Sequence, residues 1–241
     1  MTQFYLQEDK LYVSVDCIIL GFKENAIHVL IIKRKFEPLK GERSLMGGFV
    51  REQEGLDETV SRVVFDYTGI KDVYMEQVGT YGDVGRDIVE RVVSVVYYAL
   101  IDMELFDEEL EKKHNAEWVN INDVGQLILD HNLFLEDTLR LMKRRTATRP
   151  VGFNLLPEKF TLPQLQLLYE AIYQRSLDKR NFRKKLFEMN ILEKLDEKEK
   201  LFSKKGAYYY RFNKEKYDRL FGRRILFFSL ISSILFYNYV V

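Results

Sequence analysis

The sequence has few of the residues that build disulfides and metal centres: one cysteine and three histidines among 241 residues. A single cysteine, Cys17, rules out a disulfide within the chain and is typical of a reducing cytosol. His28, His114 and His131 show no ligand spacing with one another or with Cys17, so we expect no zinc site. The chain does not open with a basic segment followed by an apolar one, so we do not expect secretion.

The formal net charge of zero conceals two halves of opposite sign. Residues 1–148 hold 18 Lys and Arg against 27 Asp and Glu, a net charge of −9, whereas residues 149–241 hold 19 against 10, a net charge of +9. The composition is that of an ordinary globular protein, with 46% hydrophobic and 31% charged residues. An acidic half followed by a basic half indicates two modules, the second suited to a polyanion. Chance variation between two surfaces is the alternative.

The first half alternates predicted strands and helices. Residues 11–22 and 26–35 are β-branched apolar runs separated by a short polar segment, which is typical of a hairpin. Helical spacing of apolar residues predicts a helix over 56–67. Further strands are predicted at 44–50, 75–80, 89–101 and 117–119, and further helices at 122–129 and 133–145.

One motif in this half resembles the Nudix box, in which a Gly, a Glu and an Arg at set spacing precede a cluster of glutamates. The positions that match are Gly48, Glu54, Arg62, Val64, Gly69 and Ile70. Three carboxylates of the cluster are not kept, because Val63 and Tyr67 replace two of them and Asp66 is one methylene shorter than the third. The resemblance implies a mixed sheet flanked by helices.

In Nudix hydrolases the glutamates hold divalent cations that polarise a diphosphate and activate water. Such cations need several oxygen ligands and must be fixed beside the substrate phosphates. Val63 and Tyr67 supply no carboxylate. We therefore expect the scaffold without the hydrolase: no catalytic residues, no metal and no cofactor. A nucleoside diphosphate hydrolase with a nucleic-acid-binding domain is the alternative.

The second half has the element order of a winged helix-turn-helix. Thr161 and Gln164 form a capping box that opens a helix reaching about residue 175. After a short turn, Asp178 caps a second helix over residues 179–189, and two strands follow at 191–195 and 208–212. The predicted fold class is therefore α+β: a Nudix-like α/β/α sandwich at 1–148 and a winged helix-turn-helix at 149–224.

The second helix of this module is basic and suits a DNA duplex. Lys and Arg neutralise phosphates, and Arg or Asn can reach base edges in the major groove. Since a recognition helix enters the groove N-terminus first, Arg180, Asn181 and Lys184 are expected near bases. A solvated basic face is the alternative. The expected DNA-binding residues, on the helix and the wing, are Lys179, Arg180, Asn181, Arg183, Lys184, Lys185, Lys204, Lys205 and Arg211.

A Nudix-like domain followed by the string 178–185 resembles the Nudix-related transcriptional regulators, over roughly residues 5–220. In that family a degenerate Nudix domain senses a small molecule, and a winged helix binds double-stranded operator DNA as a homodimer. One branch of the family responds to ADP-ribose or related NAD metabolites as effectors, and another branch responds to L-arabinose. The segments 114–116, 119–122 and 152–157 look closest to the arabinose branch. The resemblance implies a cytoplasmic homodimer acting as a repressor, with an arabinose-like pentose or ADP-ribose as effector.

The residues themselves leave the effector open. Asp16 lies in an apolar strand, and a buried carboxylate usually needs a partner. Vicinal hydroxyls of a sugar and a nearby arginine would satisfy it equally well. A lining of Asp, Asn and aromatic groups would favour a neutral sugar, and converging arginines a phosphorylated one. The expected ligand-binding residues are Asp16, Glu37, Arg43, Gly47, Gly48, Asp83, Asp87 and Arg91.

An uncharged apolar tail over residues 225–241 departs from the family pattern. Its 17 residues lie at the lower edge of the length that spans a bilayer, about 20 residues. A membrane anchor, packing within a dimer and an accidental extension are the alternatives. No other part of the chain is expected to meet a membrane.

Overall fold

The computed structural model describes residues 7–106, 108–148, 152–200 and 206–221. The chain divides into two compact units. The first comprises residues 1–20, 29–101 and 105–138, and the second comprises residues 21–28, 102–104 and 139–241. The apolar tail at 225–241 and residues 149–151 lie outside the described residues.

A seven-stranded mixed sheet with the order β3-β2-β1-β6-β5 organises the first unit. Strand β1 pairs with β6 in parallel and with β4 in antiparallel orientation, and β7 joins the sheet beside β2. Residues 15–21 of β1 are all buried, as expected of a strand covered on both faces. The strands are β1 Tyr12–Lys23, β2 Ala26–Lys33, β3 Arg43–Ser44, β4 Met46–Phe49, β5 Tyr74–Tyr81, β6 Val92–Leu100 and β7 Ala116–Asn120.

Helix α1, Leu56–Thr68, covers this sheet. Glu58 closes its first turn by accepting a hydrogen bond from the Gly55 N–H at 2.8 Å, and Gly69 ends it at φ +72°, a conformation that favours glycine. Its apolar face, with Val60 and Val63, is buried against the sheet core. Burying each such side chain stabilises the fold by about 1.5–3 kcal/mol. Helix α1, which carries the second part of the Nudix-like box, therefore contributes to the hydrophobic core.

Two further helices, α2 Glu108–His114 and α3 His131–Thr148, follow in the chain. The helix predicted over 122–129 is wrong: this segment has no regular structure. Asn120 accepts a hydrogen bond from the backbone N–H of Asn122 at 3.0 Å, and Gly125 takes φ +67°. Asn side chains compete with helical hydrogen bonds in this way, so the Asn120 side chain stabilises a turn where the helix was predicted to begin.

The second unit combines three helices with a three-stranded sheet of order β8-β10-β9. The predicted capping box is present, since Thr161 accepts from the Gln164 N–H at 3.3 Å and Gln164 accepts from the Thr161 N–H at 2.7 Å. The elements are β8 Lys159–Thr161, α4 Leu162–Tyr173, α5 Lys179–Glu188, β9 Leu192–Glu199, β10 Ala207–Phe212 and α6 Lys214–Phe221. Helix, turn, helix and hairpin follow in the predicted order. No helix of the described residues is both long and apolar enough to cross a membrane.

Candidate ligand pocket and nucleic-acid interface

A cavity of about 570 Å³ lies in the first unit. Its walls come from strands β1 to β4 and β6, from the end of α1, from the loops that follow β2 and β5, and from the segment that leads into α3. Five of the eight predicted ligand residues line it: Asp16, Glu37, Gly47, Gly48 and Asp87. Strand β1 therefore supplies the buried carboxylate that the sequence singled out.

Three predicted ligand residues, Arg43, Asp83 and Arg91, are not part of the cavity lining. Arg43 is held elsewhere, because its guanidinium lies 3.2 Å from Glu117 and also donates to the Val124 carbonyl. Arg91 donates to the Gly82 carbonyl at 2.7 Å. Both arginines bind backbone carbonyls of loops. The sequence alone does not tell an arginine with this role from one that binds a ligand. Asp83 is exposed on the same loop.

Asp16 forms the floor of the cavity and is 8% exposed. Its Oδ2 accepts a hydrogen bond from the Ser94 hydroxyl on β6, and its Oδ1 lies 3.7 Å from Nε2 of His131. Opposite Asp16 in the β1–β4 register stands Gly47. A Cβ at that glycine would come within 2.5 Å of Oδ1, so the glycine gives the carboxylate its room.

His131, at the first turn of α3, is the second polar group of the floor and is 4% exposed. Its Nδ1 accepts a hydrogen bond from the Leu45 N–H at 3.1 Å, which places the ring proton on Nε2 when the imidazole is neutral. Burial lowers the pKa of His131 against the opposing pull of Asp16 and Asp130. The floor therefore presents an N–H donor beside a carboxylate acceptor.

Charge and aromatic groups surround the rest of the cavity. Four carboxylates line it, against two guanidinium groups. Arg86 is already engaged, because it donates two hydrogen bonds of 2.8 Å to Asp130, whereas Arg34 lies over the Phe36 ring at 4.3 Å. The charged lining residues are Asp16, Glu37, Asp87, Glu90, Arg34 and Arg86, and the aromatic ones are Tyr12, Phe36, Phe49 and Tyr67.

The first half of the Nudix-like box makes a salt bridge within the fold. Arg62 donates to both oxygens of Glu54, at 2.7 and 2.8 Å, and also to the Phe49 carbonyl at 3.2 Å. The Arg62 hydrogen bonds lower the pKa of Glu54 to about 2. Glu54 is thus tied to α1 and to the end of β4.

The second half of the box is divided between the core and the cavity. Val63 is 2% exposed in the sheet core, Asp66 lies 4.0 Å from Arg62, and Tyr67 faces the cavity with its ring 4.6 Å from that of His114. The described residues contain no group of three His, Cys, Asp or Glu that could hold a metal ion. Where α1 borders the cavity, it therefore presents the aromatic ring of Tyr67 in place of a carboxylate.

In the second unit, α5 exposes some of its basic side chains and buries its apolar ones. Phe182 and Leu186 are buried, and Asp178 caps the helix by accepting from the Asn181 N–H at 2.7 Å. Four predicted DNA-binding residues are exposed, namely Lys179, Arg180, Asn181 and Lys184, while Arg183 and Lys185 are half-buried. This helix has the apolar back and cationic front that duplex binding requires.

The hairpin β9–β10 is the wing of this module, and it carries further cationic side chains. Arg211 is exposed but paired with Glu193, their nearest atoms 2.8 Å apart. Lys194 and Lys198, which the sequence analysis did not select, lie over the Tyr208 ring at 3.5 and 4.4 Å. Lys204 and Lys205 lie outside the described residues. Neither lysine stood out as a cation in the sequence, because acidic residues lie next to both of them along β9.

Comparison with known proteins assigns both units. The family model described as "NUDIX domain" matches residues 10–142, and that of the "NrtR DNA-binding winged helix domain" matches residues 152–212. The ADPR responsive transcriptional repressor NtrR of Acinetobacter baylyi is 31% identical over 216 residues, covering 88% of this chain and 86% of the relative. The chain belongs to the NrtR family of Nudix-domain regulators.

Other relatives match most of the NrtR-family chain or about half of it. The crystal structure of Shewanella oneidensis NrtR complexed with a 27mer DNA has a TM-score of 0.79 and 25% identity, covering 86% of this chain and 95% of that one. An ADP-ribose pyrophosphatase of Methanocaldococcus jannaschii is 30% identical over 138 residues, covering 56% of this chain and 79% of the relative. The predicted fold class and the family resemblance are confirmed. Placement in the arabinose branch finds no support among these relatives.

Proposed function

We propose that this NrtR-family protein is a transcriptional repressor that binds operator DNA through α5 and the wing and answers to ADP-ribose bound in its Nudix cavity. One observation carries the proposal: 88% of the chain matches a relative named as an ADPR responsive transcriptional repressor. The exposed cations of α5 support the DNA-binding part. So does the similarity to an NrtR crystallised with a 27mer DNA.

The cavity offers a partner for each part of ADP-ribose. Aromatic side chains such as Tyr12 and Phe49, whose ring centroids are 5.5 Å apart, provide faces for a planar base. Arg34 provides a guanidinium for a diphosphate oxygen. Asp16 and His131 provide an acceptor and a donor for sugar hydroxyls. ADP-ribose thus fits the chemistry of the lining.

A pentose such as L-arabinose is the second candidate effector, and the charge of the cavity favours it. Four carboxylates face two guanidinium groups, and one of these, Arg86, is already neutralised by Asp130. A lining of net negative charge repels a bare diphosphate more than a neutral sugar. The two effectors therefore need to be compared directly.

The NrtR-family protein acts in this proposal as a regulator and not as a hydrolase. Both oxygens of Glu54 are held by Arg62, and the positions of two box glutamates carry Val63 in the core and Tyr67 on the cavity wall. We expect no release of AMP from ADP-ribose with magnesium or manganese. Steady AMP release that Glu54→Gln abolishes would instead establish the hydrolase alternative.

Regulation requires that effector and DNA influence each other. In this proposal a cytoplasmic homodimer binds two half-sites, and the effector favours a dimer whose recognition helices miss the half-site spacing. Coupling of this kind is typically about 1–3 kcal/mol. By linkage, operator DNA must weaken effector binding by the same factor that the effector weakens DNA binding.

The experiment starts from duplexes that the purified full chain selects from a random-sequence pool. Fluorescence anisotropy then measures the affinity for the best duplex with no addition, with ADP-ribose and with L-arabinose, at one salt concentration. We expect ADP-ribose to raise the dissociation constant about 5- to 150-fold. An effect of arabinose alone would replace the effector, and selection of no preferred duplex would overturn the repressor.

A further inference from the structure

The floor of the Nudix cavity holds a donor and an acceptor that approach each other without bonding. Nε2 of His131 and Oδ1 of Asp16 are 3.7 Å apart, beyond the 2.7–3.2 Å range of N–H···O hydrogen bonds. The His131 side chain is 5% exposed and the Asp16 side chain 12% exposed, and both line the cavity. The arrangement leaves two polar atoms that do not bond each other at the lining of the same cavity.

Neither atom has another hydrogen-bond partner among the residues that the structure describes. Ser94 bonds the other carboxylate oxygen, Oδ2, and the Leu45 N–H bonds the other ring nitrogen, Nδ1. These outer contacts fix both side chains, so that neither can turn to satisfy its inner atom elsewhere. Both atoms therefore remain available to a polar group that enters the cavity.

We propose that Asp16 and His131 together form a binding site for a pentose hydroxyl, which accepts from the imidazole N–H and donates to the carboxylate. A hydroxyl is the group that can do both at one oxygen. A phosphate oxygen cannot, because it has no proton to donate and would meet the carboxylate charge. The site therefore recognises the sugar end of the effector rather than its phosphates.

Gly47 keeps this site open. A Cβ there would lie 2.5 Å from Asp16 Oδ1 and 2.9 Å from the Val15 carbonyl, closer than carbon atoms approach oxygens in folded proteins. Any larger residue would push against the carboxylate and the backbone beside it. The glycine, the carboxylate and the imidazole thus act as one unit.

This inference rests on the proposed function for its ligand, and the test separates the two. Calorimetry on the full chain compares ADP-ribose with ADP, which lacks the terminal ribose, in wild type and in Asp16→Asn. We expect the ratio of the two affinities to fall about 10- to 100-fold in the variant, the loss of a charged buried hydrogen bond. Asp83→Asn makes the same chemical change outside the cavity and should leave the ratio as in wild type.

Two further variants guard against a fold defect. His131→Leu removes the donor, whereas His131→Gln keeps an N–H near the position of Nε2 and should retain part of the preference for ADP-ribose. An equal loss of ADP-ribose and ADP affinity in Asp16→Asn, or no loss of either, would overturn the hydroxyl site.

The outcomes distinguish this site from the proposed effector. If wild type binds L-arabinose and not ADP-ribose, the effector assignment fails, and loss of arabinose binding in Asp16→Asn still supports the site. If wild type binds neither ligand, both the effector and the site are wrong. A water molecule alone between the two groups would leave every affinity ratio unchanged.

Discussion

The salt bridge between Arg86 and Asp130 should be a main anchor of the loop that walls the cavity. Its two hydrogen bonds are both 2.8 Å, the Arg86 side chain is 5% exposed and the Asp130 side chain 22% exposed. The guanidinium also lies 5.4 Å from the centre of the Phe134 ring. Replacing Asp130 with Asn would leave a buried cation with a neutral partner.

The expected loss follows from this burial. Breaking a fully buried pair costs about 3–5 kcal/mol, and an exposed pair contributes about 0.2–1 kcal/mol. Because Asp130 keeps some contact with water, we expect Asp130→Asn to destabilise the first unit by about 2 kcal/mol. A double-mutant cycle with Arg86→Met should give a coupling of at least about 1 kcal/mol. Added salt should change it little, since buried pairs are poorly screened.

The only cysteine of the chain provides the assay. Cys17 lies in β1 with its side chain fully buried, and burial raises the pKa of its thiol, so a thiol reagent reaches it when the first unit opens. A loss of 2 kcal/mol corresponds to labelling about 30-fold faster. Glu117→Gln is the comparison, because its pair with Arg43 is half exposed and should cost less than about 1 kcal/mol. A coupling below about 0.5 kcal/mol, or one that salt removes, would refute the anchor.

Three further predictions concern the box, the helix cap and the DNA. The pKa of Glu54 is lowered from 4.5 to about 2. The ionised carboxylate therefore stabilises the fold fully above pH 4.5, and this stabilisation is lost as the pH falls towards 2. The difference in unfolding midpoint between wild type and Glu54→Gln should shrink over that pH range. Asp178→Ala should destabilise α5 by about 1 kcal/mol and speed hydrogen exchange at the Asn181 amide, which the cap now protects; unchanged exchange would contradict the cap. Arg180→Ala and Asn181→Ala should each weaken binding to the preferred duplex by about 1–3 kcal/mol and relax the sequence preference of the protein. Lys205→Ala should weaken binding to all duplexes alike. If the Arg180 and Lys205 variants behave identically, the assignment of α5 as the recognition helix is wrong.

Local patterns predicted most of the fold. The apolar runs of β1 and β2, the helical spacing in α1 and the caps at Thr161 and Asp178 all depend on neighbours in sequence, and the structure contains them. The helix predicted over 122–129 was wrong because the Asn120 side chain accepts a hydrogen bond from the Asn122 N–H and stabilises a turn there. Strand β8 also escaped prediction, since three residues, Lys159–Thr161, carry too short a pattern.

The candidate site was predictable where a residue conflicted with its local surroundings. Asp16 stood out because a carboxylate interrupts an apolar strand, and it lies on the cavity floor. His131 carried no such signal, because its position beside Asp16 depends on how α3 meets the sheet. Arg43 and Arg91 were selected by charge alone, and the fold uses both to hold backbone carbonyls.

The chain order of the cavity floor has a consequence for synthesis. Asp16 leaves the ribosome 115 residues before His131 and well before the β6 strand that pairs with β1. At roughly 5–20 residues per second, the apolar strand β1 spends about 6–23 seconds without the last member of its floor. A nascent first unit is therefore open and exposed for longer than the adjacent helices α4 and α5, which can pair as soon as both emerge. Chaperones that bind incomplete sheets should therefore meet this protein at the edge of β1 that pairs late with β6.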